Sequence, residues 1–114
     1  MTRVIGVHEF DLKPGVTDME FEAALRSLLA LEPLPGQHVS LIKGDRNIRQ
    51  GKYGMLSNHE SVEARDRFFG ANGETDAFKE FQATHPEWVQ AWEQVMSLVA
   101  QWTWTDYQIF ASSS

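Results

Sequence analysis

The chain contains no cysteine among its 114 residues, which excludes a disulfide framework and any thiolate chemistry. It has no apolar stretch long enough to span a membrane, and Met1 to Arg3 run straight into a short apolar segment, so we expect neither a signal peptide nor a membrane partner. Basic residues are also scarce: ten lysines and arginines stand against sixteen acidic residues, for a net charge of −6. Because nucleic-acid binding depends on neutralising phosphates, this balance argues against a nucleic-acid partner. A cytoplasmic location is the default expectation.

The amino-acid composition of the chain is that of one ordinary globular domain. Hydrophobic residues make up 42% and charged residues 23% of the chain, values that are typical of soluble folded proteins. A chain of this length can enclose one core but not two. We therefore predict a single domain over residues 1–111, followed by a disordered tail at 112–114.

The first half of the chain predicts a strand, a helix and two further strands. The first strand, at residues 3–11, carries apolar side chains on both faces, so it should lie in the centre of a sheet. Pro14-Gly15 ends it, and a capping box that begins at Thr17 opens a helix. Strands at about 39–42 and 52–60 follow, joined by a glycine-rich turn.

The second half predicts helices and one last strand. Ser61 can cap a short helix, which Gly70 to Gly73 interrupts. Pro86 suits the first position of a further helix, where its missing N–H costs nothing. A strand over residues 102–110 completes the order β-α-β-β-α-β. That order gives one small sheet with helices on a single face, and two such subunits can bury their open sheet faces against each other as a homodimer.

Several short motifs resemble the stress-responsive dimeric α/β-barrel (Dabb) family. They are Lys13-Pro14-Gly15-Val16-Thr17 before the first helix, Pro35-Gly36 before the second strand, Tyr53 on the third strand, His85-Pro86 at the start of the last helix, and Asp106-Tyr107 on the last strand. The resemblance spans nearly the whole chain. It implies an α+β fold, a ferredoxin-like β-α-β-β-α-β sandwich with a four-stranded antiparallel sheet that forms a dimeric α/β barrel. Related barrels include cofactor-independent monooxygenases, haem-degrading enzymes and a plant polyketide cyclase.

The cyclase has a set of catalytic residues that this chain does not reproduce. Gly6 and Met55 stand where the cyclase has histidines on its first and third strands. Gln82 and Trp88 stand where it has a tyrosine and a helix histidine. His8 lies two residues beyond Gly6 on the same face of the first strand, so it becomes the candidate for the histidine's role.

The candidate catalytic residues are His8 and Tyr53. If the first and third strands are antiparallel neighbours, His8 lies across from Tyr53, Met55 or Ser57. A histidine beside a tyrosine can take a proton from a phenol or an acidic carbon while the tyrosine polarises an oxygen. The alternative is a structural histidine, buried and hydrogen-bonded to Tyr53.

The remaining histidines point less clearly to chemistry. His59, near the far end of the third strand, is expected to face solvent, and His85 is expected to cap backbone groups at a helix start. No metal-binding spacing such as HExxH occurs, so we predict no metal site and no cofactor. The resemblance leaves haem ligation by His8 or His85 as an open alternative.

The candidate substrate-binding residues are aromatic, apolar and basic. Trp88 and Trp104, with Met55, can form the apolar wall of a ligand pocket; the alternative is that the tryptophans belong to the core and the dimer interface. Arg46 and Arg49 lie in the turn between the second and third strands, where they can attract a carboxylate or a phosphate. The alternative there is an ordinary solvated turn.

Two classes of function follow. The first is a small-molecule-binding dimeric α/β-barrel protein that acts as a cofactor-independent enzyme, of cyclase or monooxygenase type, on an aromatic or polyketide-like substrate. The second is a non-catalytic ligand-binding or stress-associated homodimer. A contact between His8 and Tyr53 beside an open cavity would favour the enzyme, and a filled interior would favour the second class.

Overall fold

A computed structural model describes residues 2–113 of the chain. Met1, and Ser114 of the predicted tail, lie outside the described residues; Ser112 and Ser113 have no regular secondary structure. The elements follow the predicted order, with the second helical part divided into several pieces. They are β1 (Val4–Leu12), α1 (Asp18–Leu29), β2 (Gln37–Lys43), β3 (Tyr53–His59), α2 (Val62–Asp66), β4 (Phe69–Gly70), β5 (Gly73–Glu74), α3 (Asp76–Thr84), α4 (Pro86–Ser97) and β6 (Val99–Gln108).

Local sequence signals determine where the helices begin. The Thr17 hydroxyl accepts a hydrogen bond from the Glu20 N–H at the start of α1, and the Ser61 hydroxyl accepts one from Ala64 at the start of α2, as expected for these caps. Pro86 occupies the first turn of α4, the position where proline fits a helix. In residues 2–113, no helix is both long enough and apolar enough to cross a membrane.

The four long strands form one antiparallel sheet in the order β2-β3-β1-β6. The prediction that β1 is central is therefore confirmed. In the register of the sheet, His8 stands opposite Met55 on β3 and opposite Trp104 on β6, while Phe10 stands opposite Tyr53. Because strand side chains alternate, the even-numbered residues of β1 all point to one face.

That face is covered by the helices and holds the main core. Phe10, Phe21 and Val95 are fully buried there. The rings of Phe10 and Phe21 meet edge to face with their centroids 5.6 Å apart, a favoured arrangement for aromatic pairs. The core thus joins β1 to α1 and α4 on the inner face of the sheet, which is the face that the helices cover.

The other face of the sheet has no covering layer in the described chain. Ile5, Val7 and Leu56 on the central strands are only partly buried, although their register places them in the middle of the sheet. Ile42 and Tyr107 on the edge strands are exposed, Tyr107 by 57%. The uncovered face therefore combines apolar side chains with access to solvent.

Candidate active site

A cavity of about 360 Å³ lies between the inner face of the sheet and the helices. Its wall is largely apolar, and the polar side chains on the sheet side lie on β1, β2 and β3. The residues that line it are His8, Leu25, Leu28, Leu29, Leu31, Glu32, Pro33, Leu34, Gln37, Val39, Leu41, Met55, Ser57, His59, Phe69, Gly70, Gly73, Glu74, Phe78, Gln82, Trp88, Trp92, Trp102 and Trp104.

A short hairpin, β4–β5, closes one side of this cavity. The sequence predicted only an interruption of a helix here, and the structure shows instead that the chain reverses between Gly70 and Gly73. Gly73 has a φ of +114°, a backbone conformation that glycine adopts without steric cost. Phe69 on this hairpin packs edge to face against Trp104, with ring centroids 5.3 Å apart.

All four tryptophans of the chain line the cavity. Trp88 and Trp92 stack with their rings 6.4 Å apart, and Trp102 and Trp104 stack 6.2 Å apart. The edge of Trp92 meets Trp102 at 5.6 Å and joins the two pairs. The structure therefore places the predicted Trp88 and Trp104 in this wall. It adds Trp92 and Trp102 to the wall.

His8 is buried at the sheet side of the cavity, stacked on two indole rings. Its ring centroid lies 5.1 Å from that of Trp104 and 5.9 Å from that of Trp102. The indole Nε1–H of Trp102 donates a hydrogen bond to His8 Nδ1 over 3.2 Å. The other ring nitrogen, Nε2, lies 3.3 Å from the hydroxyl oxygen of Ser57.

These contacts determine the tautomer of His8. An indole N–H can only donate, so Nδ1 must be the unprotonated acceptor and the neutral ring carries its hydrogen on Nε2, facing Ser57. Burial lowers the pKa of His8 to about 4, and the negative charge of Asp106 opposes that shift only in part. Protonating Nδ1 would also place one N–H against another. The imidazole is therefore neutral near pH 7.

An ion pair orients the tryptophan on which His8 stacks. One oxygen of Asp106 accepts a hydrogen bond from Trp104 Nε1 and the other accepts one from Arg65, each over 2.7 Å. The indole therefore lies against Gly6, where a Cβ atom would stand 2.9 Å from Asp106 Oδ1 and 3.0 Å from Trp104 Nε1. No side chain fits at this position without displacing them, so a histidine at position 6 has no room here.

The structure does not bring His8 and Tyr53 together. Tyr53 stands opposite Phe10, two residue pairs along from the pair of His8 and Met55, and its hydroxyl donates a hydrogen bond to the carboxylate of Glu22. Burial and then this hydrogen bond raise the pKa of Tyr53. Tyr53 is absent from the cavity wall, and the hydroxyl beside the imidazole belongs to Ser57.

The expectation that His59 faces solvent is wrong. Its side chain is only 4% exposed, because the β4–β5 hairpin packs Phe69 against the ring with the centroids 6.3 Å apart. Burial lowers the pKa of His59, and the charge of Asp106 opposes this. Nε2 is buried and has no hydrogen-bond partner among the described residues. The residues that cover His59 come later in the chain, so no local pattern could have shown its burial.

The structure places the two candidate arginines away from the cavity. The hairpin that carries them follows the Lys43–Tyr53 pair, at the opposite end of β3 from His59. The Arg46 side chain is largely exposed, 3.8 Å from Asp45. Arg49 is already paired with two carboxylates, Glu9 at 2.8 Å and Asp11 at 3.0 Å. Neither arginine is positioned to meet an anionic group in the cavity, whereas the predicted Met55 does line it.

The two histidines considered for haem ligation, His8 and His85, have both of their ring nitrogens in contact with protein groups. Both ring nitrogens of His8 are in hydrogen bonds. His85 lies between α3 and α4, with Nδ1 3.0 Å from the Phe81 carbonyl oxygen and Nε2 3.4 Å from Glu32. It thus caps the end of α3 rather than the start of α4, where it makes no side-chain cap. Within residues 2–113, no cluster of three or more histidine and carboxylate side chains could hold a metal ion.

No protein-family model and no curated protein sequence matches this chain, but solved structures do. A candidate antibiotic biosynthesis monooxygenase from Bordetella bronchiseptica shares 18% identity at a TM-score of 0.64, over 97% of this chain and 100% of its own. A dimeric ferredoxin-like protein of unknown function from Thermobifida fusca shares 11% identity at 0.60, over 95% and 92%. The chain has the ferredoxin-like fold.

A Dabb family protein with a ferredoxin-like fold, from Mesorhizobium loti, is also among the similar structures. It shares 15% identity at a TM-score of 0.54, over 94% of this chain and 96% of its own. The α+β fold class implied by the Dabb resemblance is therefore confirmed, with its four-stranded antiparallel sheet. At these identities the likeness establishes the fold and assigns no activity.

Proposed function

We propose that this chain binds a small, largely apolar aromatic molecule in the cavity between its sheet and its helices. The observation that carries the proposal is the cavity itself, about 360 Å³ of space walled by all four tryptophans. Small-molecule sites are typically concave, mostly apolar and aromatic, with a few convergent polar groups. Here those groups include His8, Ser57 and His59, beside the amides of Gln37 and Gln82. The candidate monooxygenase among the similar structures supports a small molecule as the ligand.

Intrinsic tryptophan fluorescence should report binding directly, because every tryptophan lines the cavity. Titration with a bicyclic aromatic ketone such as 1-tetralone should change the emission saturably. The variant Val39→Phe, which fills the cavity from β2, should weaken binding by about tenfold or more, equal to about 1.4 kcal/mol. Met19→Phe, at an exposed position on α1 away from the cavity, is the matched control. Folded protein that gives no saturable change with a panel of aromatic probes would contradict the proposal.

We also propose that two copies pair through the uncovered face of the sheet. The exposed Ile42 and Tyr107 support this, as does the dimeric description of the Thermobifida fusca protein. Sedimentation at micromolar concentration should give about twice the chain mass of 13.0 kDa. Leu56→Lys should shift the population towards monomer, because it places a charge in the middle of this face, whereas Met19→Lys on the exposed side of α1 should not. A wild-type protein that sediments only as a monomer would contradict the proposed dimer.

A second candidate function is a cofactor-independent enzyme in which His8 accepts a proton. The buried imidazole at the cavity wall favours this candidate, since it is neutral at pH 7 and can accept a proton there, as a weaker base than an ordinary histidine because its pKa is lowered. In the resting arrangement Nδ1 is occupied by Trp102 and Nε2 carries a hydrogen. The Trp102 indole must therefore leave Nδ1 before the ring can take a proton from a phenol or an acidic carbon. Ser57, rather than the predicted Tyr53, would polarise the ligand oxygen.

The two roles of His8 can be separated by substitution. If His8 is catalytic, His8→Ala should stay folded and dimeric yet lose turnover of a substrate found by screening, whereas Tyr53→Phe should keep it. If His8 is structural, the free energy of unfolding should fall and ligand binding should decline only in proportion. Loss of turnover in Tyr53→Phe at unchanged stability would instead restore the original pairing of His8 with Tyr53.

We further propose a cytoplasmic protein that works without a cofactor and without a nucleic-acid or membrane partner. The lack of cysteine fits a reducing compartment, and the net charge of −6 is unfavourable for contact with phosphates.

A further inference from the structure

Three side chains on the sheet side of the cavity form a chain of hydrogen bonds with one direction. Trp102 Nε1–H donates to His8 Nδ1 over 3.2 Å, and His8 Nε2–H donates to Ser57 Oγ over 3.3 Å. The direction is set at the first member, because an indole has a donor and no acceptor. The Ser57 hydroxyl is the last member, and its own hydrogen has no acceptor among the described residues.

Ser57 is in the right place for a ligand to complete this chain. It lines the cavity although its side chain is almost fully buried. A buried polar group left without a partner costs about 1–3 kcal/mol, so an unused hydroxyl hydrogen is an unfavourable state. His59 lies two residues after Ser57 on the same face of β3. Its Nε2 atom is buried and has no hydrogen-bond partner in the described chain. The Ser57 hydroxyl hydrogen and His59 Nε2 therefore lie close together on a largely apolar wall, and neither has a hydrogen-bond partner in the described chain.

We propose that Ser57 donates a hydrogen bond to an acceptor oxygen of the bound ligand, a ketone or quinone carbonyl or a phenolate carried on an aromatic body. The inference rests on the proposed function, since it concerns the ligand of the same cavity, and it specifies which polar group that ligand presents. His8 acts here as a positioning residue that occupies an acceptor site on Ser57 and leaves the hydroxyl hydrogen free. Trp102 acts one step earlier, because it holds His8 in the tautomer that does so.

The neighbouring aromatic rings fit the rest of such a ligand. Trp102 and Trp104 lie nearly parallel, with an angle of 20° between their planes, and Trp88 and Trp92 are parallel within 12°. Flat aromatic walls favour a flat aromatic body by offset stacking. The wall supplies affinity without choosing among flat molecules, so the discrimination falls to polar side chains of the lining such as Ser57.

The test compares two probes of one shape by titration calorimetry. 1-Tetralone has one acceptor oxygen and tetralin has the same fused rings without it. In the wild type the ratio of 1-tetralone affinity to tetralin affinity should exceed that in Ser57→Ala by up to about tenfold, the range that one net hydrogen bond allows. Tetralin affinity should be unchanged in this variant. Ser40→Ala, on the uncovered face of the neighbouring strand, is the matched control and should keep the wild-type ratio.

A second variant tests the direction of the chain. Trp102→Phe keeps an aromatic wall but removes the indole donor, so His8 can adopt either tautomer and the preference for 1-tetralone should fall while tetralin still binds. An equal ratio in wild type and Ser57→Ala would overturn the inference and leave the proposed function intact. Failure of both probes to bind the folded wild-type protein would overturn the proposed function and the inference with it.

Discussion

Replacing Phe21 by alanine should lower the free energy of unfolding by about 3–5 kcal/mol, the usual cost of removing a buried phenylalanine. Phe21 is 0% exposed, and its ring packs between Phe10 at 5.6 Å and Tyr53 at 5.3 Å. These two residues lie on the central strands β1 and β3, so neither strand can move to fill the space. The ring is not part of the cavity wall, and the loss should therefore appear in stability before it appears in ligand binding.

Urea unfolding at one fixed protein concentration measures this loss, since the stability of a dimer depends on concentration. Met19→Ala is the matched control, because Met19 lies two residues earlier on the same helix and is 83% exposed. Its substitution should change the free energy of unfolding by no more than about 0.5 kcal/mol. Similar values for Phe21→Ala and Met19→Ala would mean that α1 does not pack on the sheet through the Phe21 face.

Acidification should destabilise the protein between pH 6.5 and about pH 4, and His8 should contribute about 3 kcal/mol of the loss. In the unfolded chain the imidazole takes up a proton as the pH falls through its ordinary pKa of 6.5. In the folded chain it remains neutral until about pH 4. The unfolded state therefore binds more protons in this window, and the stability present above pH 6.5 is lost as the pH falls.

Variants can assign this loss to particular groups. His8→Gln should flatten the fall in stability between pH 6.5 and pH 4 relative to the wild type. His8→Gln should still lose some stability over this pH range, because burial also lowers the pKa of His59. Hydrogen bonds lower the pKa of Asp11 and Glu22, so their carboxyls contribute mainly below the window. Equal slopes in wild type and His8→Gln would show that the imidazole is not held neutral in the folded state.

Local patterns in the sequence were sufficient to predict most of the fold. Alternation along β1 placed His8 and Phe10 on one face, and the caps at Thr17 and Ser61 marked two helix starts. Pro86 marked a third. Each of these signals involves only a few neighbouring residues, so it can be recognised in the sequence without knowledge of the tertiary structure. The β4–β5 hairpin was missed because its strands have two residues each, which is too short for any periodicity.

The candidate site was predicted only in part, because its contacts join distant parts of the chain. Cross-strand pairing allowed three partners for His8, and only the register of the sheet and the packing of the cavity single out Ser57. The tautomer depends on Trp102, 94 residues away. Arg49 looked available for a ligand because the turn sequence does not reveal that Glu9 and Asp11, on a different strand, already neutralise it.

The close packing at Gly6 has a consequence for the evolution of this fold. Trp104 and Asp106 occupy the space into which a side chain at position 6 would extend. A lineage can therefore carry a histidine at position 6, or a tryptophan at position 104 tied to Asp106, but not both at once. Passage from one state to the other requires a paired replacement, since the first change alone either produces overlap or opens a hole. Among relatives of this chain, a large residue at one of these positions should accompany a small residue at the other.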